Sequence, residues 1–206
     1  MNFDIKKIEQ GLPIYLKITE MAKTDAFCGE EFKKLFNGFY RVRQKTKKWY
    51  DAFYALFKEC KDNPKTFKET VTIMFEKTGE IDASFCSKLI ATLDPTKPIW
   101  DKYVLLWLGF SLNAPKPKET QEEKRNRIEH YAKIYDSIAE EYTRHLNDEN
   151  ILLSFAAFDK AFPQGIAVTP VKKLDFMLWS LRSERTISLL DYDKLLFDFK
   201  KVKSID

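Results

Sequence analysis

Glu119-Thr-Gln-Glu-Glu-Lys-Arg-Asn-Arg-Ile128-Glu-His-Tyr131-Ala-Lys-Ile-Tyr135-Asp-Ser-Ile138-Ala-Glu-Glu-Tyr142-Thr-Arg-His145-Leu146 is the stretch that decides the fold. Ile128, Tyr131, Tyr135, Ile138, Tyr142 and His145 or Leu146 repeat at spacings of three and four, while Glu and Arg fill the other face. That period is helical, and it buries one stripe. The same period predicts further helices over 5–22, 29–43, 46–60, 65–78, 82–93, 102–108, 149–161, 170–183 and 188–199. Strand-type alternation is hard to find. The expected fold class is therefore all-α, about ten helices in one globule.

Outward from this helix the punctuation agrees. Pro115-Lys116-Pro117 just before it gives a stiff, extended entry, which places a boundary between two lobes near 112–118 within a single domain spanning 1–206. Thr169 as N-cap and Pro170 at the first helical position open the helix that carries Leu174, Met177, Leu178 and Leu181 on one stripe, a pattern expected for core packing.

The chain has 206 residues, 44% hydrophobic and 32% charged, enough for one packed core. No apolar run approaches the roughly 18 residues of a membrane span, and the first ten residues lack an apolar signal core, so no membrane partner and a cytoplasmic location are expected. Cys28, Cys60 and Cys86 are scattered without a CxxC pair, and His130 and His145 lie fifteen positions apart. Neither a disulfide framework nor a metal site is expected, and the cysteines read as reduced, buried residues. A cysteine-dependent enzyme would need one of them exposed beside a histidine. The six glycines occur singly, with no GxGxxG and no GxxxxGKS, so the usual nucleotide-phosphate cradles are missing and no cofactor is expected.

Charge is uneven. Between Lys33 and Lys65 there are ten basic and three acidic residues, a local balance of +7 in a chain whose total is +4. Its densest part, Arg41, Arg43, Lys45, Lys47 and Lys48, joins two helices rich in Phe and Tyr. Cations gathered on one face suit the backbone of a polyanion, with double-stranded DNA the partner considered. Lysines at helix ends are also ordinary solvated surface.

One further segment carries chemistry. Gly79 ends a helix, Ser84 to Leu93 forms the next, Asp94-Pro95 and Pro98 break it, and Asp101 caps a short helix that Gly109 closes. This order resembles the helix-hairpin-helix DNA glycosylases, in which a glycine-containing hairpin precedes a helix and a Pro-x-Asp-x-x-Val type loop supplies an aspartate at the mouth of a base pocket. Here Pro98-Ile99-Trp100-Asp101-Lys102-Tyr103-Val104 looks like that loop, with one extra residue between Pro and Asp. The chain also resembles a group of bacterial proteins without an assigned activity, through Ser87–Thr92, Pro95–Pro98 and Lys172–Trp179.

The first resemblance implies a helix-hairpin-helix glycosylase-like fold, DNA binding and N-glycosidic base excision. Asp101 would be the catalytic carboxylate, Trp100, Lys102 and Lys88 would contact substrate, and Gly79 would anchor the DNA backbone. Members that also cleave the backbone carry a lysine eighteen or nineteen residues before the aspartate, a position held here by Ala83 or Asp82. Excision without lyase activity is therefore implied. Lys88, thirteen residues before Asp101, should sit about a helical turn and a half too far along to replace that lysine. The competing reading is a non-enzymatic helical module that docks on a protein partner, with Asp101 a mere N-cap, Trp100 a core residue and Lys102 facing solvent.

Overall fold

The computed structural model describes residues 3–110 and 118–181. Among these there are nine α-helices and no strand: α1 (Ile5–Met21), α2 (Glu30–Phe39), α3 (Lys47–Asp62), α4 (Phe67–Thr78), α5 (Ala83–Leu93), α6 (Lys102–Trp107), α7 (Gln121–His145), α8 (Glu149–Ala161) and α9 (Pro170–Ser180), with one 3-10 turn at Pro163–Gly165. The fold is all-α in one globule. The helix expected over 188–199 lies outside the described residues, as does the lobe boundary expected near 112–118 apart from Lys118.

The helix starts follow from caps. Thr66 and Thr120 each accept from the backbone of the third helical residue while Glu69 and Glu123 reach back to the cap amide, two complete capping boxes. Asp4, Thr46, Asp101, Asp148 and Thr169 cap the starts of α1, α3, α6, α8 and α9 through side-chain oxygens.

α4 lies at the centre, packed by α3, α5 and α7, and α1 closes the globule against α2 and α9. Between α2 and α3 the core is a knot of rings. Phe32, Phe36, Phe53 and Phe57 are fully buried, and Phe36 and Phe57 meet edge to face at 5.2 Å. A second stack joins α4 to α7, with Phe67 lying flat on Tyr135 at 4.1 Å.

One helix departs from its expected span. α2 stops at Phe39 rather than at residue 43, and Arg41 and Gln44 take left-handed backbone with φ 55° and 59°. Nothing in Arg41-Val-Arg-Gln44 is a helix breaker; a tertiary contact ends the helix. Val42 turns into the core at 3% exposure, its N–H donates to Asn37 O, and its carbonyl accepts from Tyr50 Oη at 3.2 Å. These contacts hold two residues in a conformation that costs each about 1–2 kcal/mol.

Candidate functional site

The segment from Asp94 to Asp101 does not run away from α5 but folds back along it. Thr169 Oγ1 donates to Pro95 O at 2.6 Å, Tyr135 Oη donates to Pro98 O at 2.8 Å, and the Trp100 N–H donates to Ser87 Oγ at 2.8 Å. This return brings Asp101 beside Lys88, and the two side chains meet with Nζ 3.6 Å from Oδ2. The Ser87–Trp100 hydrogen bond is what holds the returning segment close enough for this contact.

Asp101 uses Oδ1 as the cap of α6, accepting from the Tyr103 N–H at 3.0 Å, which leaves Oδ2 toward Lys88. Lys88 also donates to Ser84 Oγ at 2.9 Å, and its side chain is only 8% exposed. Burial pulls its amine below the ordinary lysine range, and the nearby Asp101 opposes that shift without cancelling it.

Both residues line a cleft of about 290 Å³. Its walls are aromatic, from Tyr15 of α1, Phe39, Tyr40, Phe85 of α5, and Phe176 and Trp179 of α9. The other charged residues along it are Arg41, Lys172 and Asp175. Lys172 Nζ donates to Asp175 Oδ2, and Tyr142 Oη donates to Asp175 Oδ1 at 2.7 Å. Burial raises the Asp175 carboxyl, with Lys172 acting against it. The cleft is at the lower end of the roughly 300–1,000 Å³ of small-molecule pockets, and it combines apolar walls with convergent polar groups.

Comparisons with protein-family models, curated proteins and solved structures give no match to this chain.

Of the residues expected to contact substrate, Lys88 reaches the cleft and Trp100 does not. Trp100 is 4% exposed, packed against Phe67 at 5.9 Å and Tyr131 at 5.1 Å, so it is a core residue and has no open ring face for a base. Lys102 is exposed on α6. Gly79 does adopt left-handed backbone, φ 78°, but its N–H donates to Phe75 O at 2.7 Å. That amide closes α4 and is not available to a phosphate.

The basic corner divides. Arg41, Arg43, Lys47 and Lys48 are exposed, and Arg41 also lines the cleft. Lys47 is paired with Asp51 at 2.6 Å in full solvent, a contact worth little. Lys45 is withdrawn: it donates to Glu80 at 2.5 Å and to Asp82 at 2.8 Å, with its side chain 17% exposed. It ties the connection between α2 and α3 to the turn before α5.

All three cysteines are buried, and burial pushes their thiols up, that of Cys28 to about 12. The His145 ring packs on Trp107 at 4.6 Å. A thiolate nucleophile has no support here. Among the described residues no group of three or more metal-ligating side chains converges, and no helix is long and apolar enough to cross a membrane.

Sequence reasoning missed the contribution of α9, read as core packing alone. The signal was present as three charged positions, Lys172, Lys173 and Asp175, inside a helix whose other residues are mostly apolar.

The Lys88 environment has a direct check. Reductive methylation with ¹³C followed by NMR titration is expected to show one dimethyl-lysine titrating below the others, the resonance lost in Lys88→Arg. Because Asp101 raises this amine, Asp101→Asn should lower its midpoint further. A Lys88 midpoint at the ordinary value, or unmoved by Asp101→Asn, would show that the two groups do not share the cleft.

Proposed function

We propose that the protein binds DNA through the exposed cations around Arg41, Arg43, Lys47 and Lys48 and excises a base from a nucleotide flipped into the aromatic cleft. The observation that carries this is the placement of Asp101 and Lys88 side by side in a ring-lined cleft that Arg41 also lines. A flipped base would lie between the aromatic walls. Breaking its N-glycosidic bond develops positive charge on the sugar, and Asp101 Oδ2 is placed to stabilise that charge or to orient the attacking water.

Lys88 favours a variant of the same reaction. Its burial favours the neutral amine, which is the nucleophilic form. Attack on the sugar C1′ would displace the base and, after loss of a proton from nitrogen and opening of the sugar ring, leave an imine. Loss of a proton from the sugar C2′ to Asp101 or to water would then expel the 3′ phosphate with formation of a C2′–C3′ double bond, cutting the strand, and hydrolysis of the imine would free Lys88.

The test is a single-turnover assay on duplexes holding one alkylated, oxidised or deaminated base, with DNA binding measured against salt. Release of a base, and affinity that falls steeply as salt rises, is the expected result. Sodium borohydride separates the two routes: a trapped covalent complex marks amine attack, and base release without trapping marks hydrolysis. No release from any duplex together with salt-insensitive or absent binding would remove the proposal and leave a helical docking module.

A further inference from the structure

The pair Lys172–Asp175 is more than packing can explain. Both side chains are almost wholly buried, at 3% and 7% exposure, and a buried ion pair is often no more stabilising than the apolar residues that could replace it. The carboxylate is satisfied on both oxygens, by Lys172 and by Tyr142. The ammonium is not. It carries three N–H donors, and among the described residues only Asp175 accepts from it. Lys172 lines the cleft, so the remaining donors have the cleft as their outlet.

We infer that Lys172, held in place by Asp175 and Tyr142, selects the base by donating to an exocyclic carbonyl oxygen. The substrate class is then the bases that bear a carbonyl where adenine or cytosine bears an amino group, which include the products of their deamination. An amino edge presents hydrogens to an ammonium and leaves those donors unpaired, so the amino-bearing base is rejected. This rests on reading the cleft as a nucleobase site.

The test is equilibrium binding of deoxynucleosides to the full chain by ligand-observed NMR, comparing deoxyinosine with deoxyadenosine and deoxyuridine with deoxycytidine. The carbonyl member of each pair should bind more tightly, on the order of tenfold or more, since a hydrogen bond from a charged donor is gained or lost. Lys172→Met alone strands a buried carboxylate and risks misfolding, so the companion is Lys172→Met with Asp175→Asn, which removes both charges and keeps an acceptor for Tyr142. In that variant the ratio should fall toward one; a purely structural role would weaken both members equally and leave the ratio intact. Equal binding in the native chain, an unchanged ratio in the variant, or no binding of any of the four overturns the assignment. Excision measured in parallel separates the two ideas. Excision without carbonyl preference sinks Lys172 alone, and preference without excision sinks the chemistry while keeping Lys172 as the selector.

Discussion

In the reaction proposed for the cleft, Asp101→Asn should lower the rate of base release by on the order of 10² to 10³ while leaving the protein folded, because it removes one electrostatic stabiliser of the developing cation and keeps the cap. Asparagine is as good an N-cap as aspartate, so the acceptor for the Tyr103 N–H survives and α6 still starts at the same place. The carboxylate beside Lys88 is lost. Single-turnover rates with a saturating excess of protein isolate the chemical step from DNA affinity. A rate unchanged in Asp101→Asn would show that the carboxylate is only a cap. Asp101→Ala is the contrasting variant, since it removes the charge and also about 1 kcal/mol of helix capping.

The second large effect is structural. Trp49→Ala should destabilise the protein by about 3–5 kcal/mol and lower its melting temperature by roughly 10 °C or more. Trp49 is fully buried, stacks on Phe53 at 4.8 Å and meets Phe85 edge-on at 5.5 Å. Its indole N–H donates to Asp82 Oδ2 at 2.6 Å, on the same carboxylate that accepts from Lys45. Trp49→Phe keeps most of the ring area but leaves that oxygen without its indole donor, at a cost of about 1–3 kcal/mol. Thermal melts of both variants check the ranking. An alanine variant melting within about 2 °C of the native chain would mean that the joint between α3 and α5 carries no weight.

The helices were legible because their signals are local. Thr120 with Glu123, Thr169 with Pro170, and the three-four spacing of Ile128 through Tyr142 are all contained within one element, and the structure places α7 and α9 accordingly. The cap at Asp101 was legible for the same reason. What was not legible depends on partners far along the chain. Lys45 reads as part of a basic patch until Glu80 and Asp82, 35 and 37 residues later, take it. The early end of α2 depends on Tyr50 reaching back to Val42, and the approach of Lys88 to Asp101 depends on one buried hydroxyl, Ser87. Trp100 shows the reverse error. Its neighbour's promise of a site suggested an open ring, whereas Phe67 and Tyr131 had already covered it.

The cleft draws on both extremes of the described chain. Tyr15 comes from α1, while Lys172, Asp175, Phe176 and Trp179 come from α9, and the two helices are tied where Ser180 Oγ accepts from the Asp4 N–H and Lys7 Nζ donates to Ser180 O. During synthesis on the ribosome, α1 must therefore wait through the emergence of seven intervening helices before α9 arrives. A nascent chain halted before α9 would carry Asp101 and Lys88 but would lack one wall of the cleft. Premature termination thus yields a fragment without a complete site.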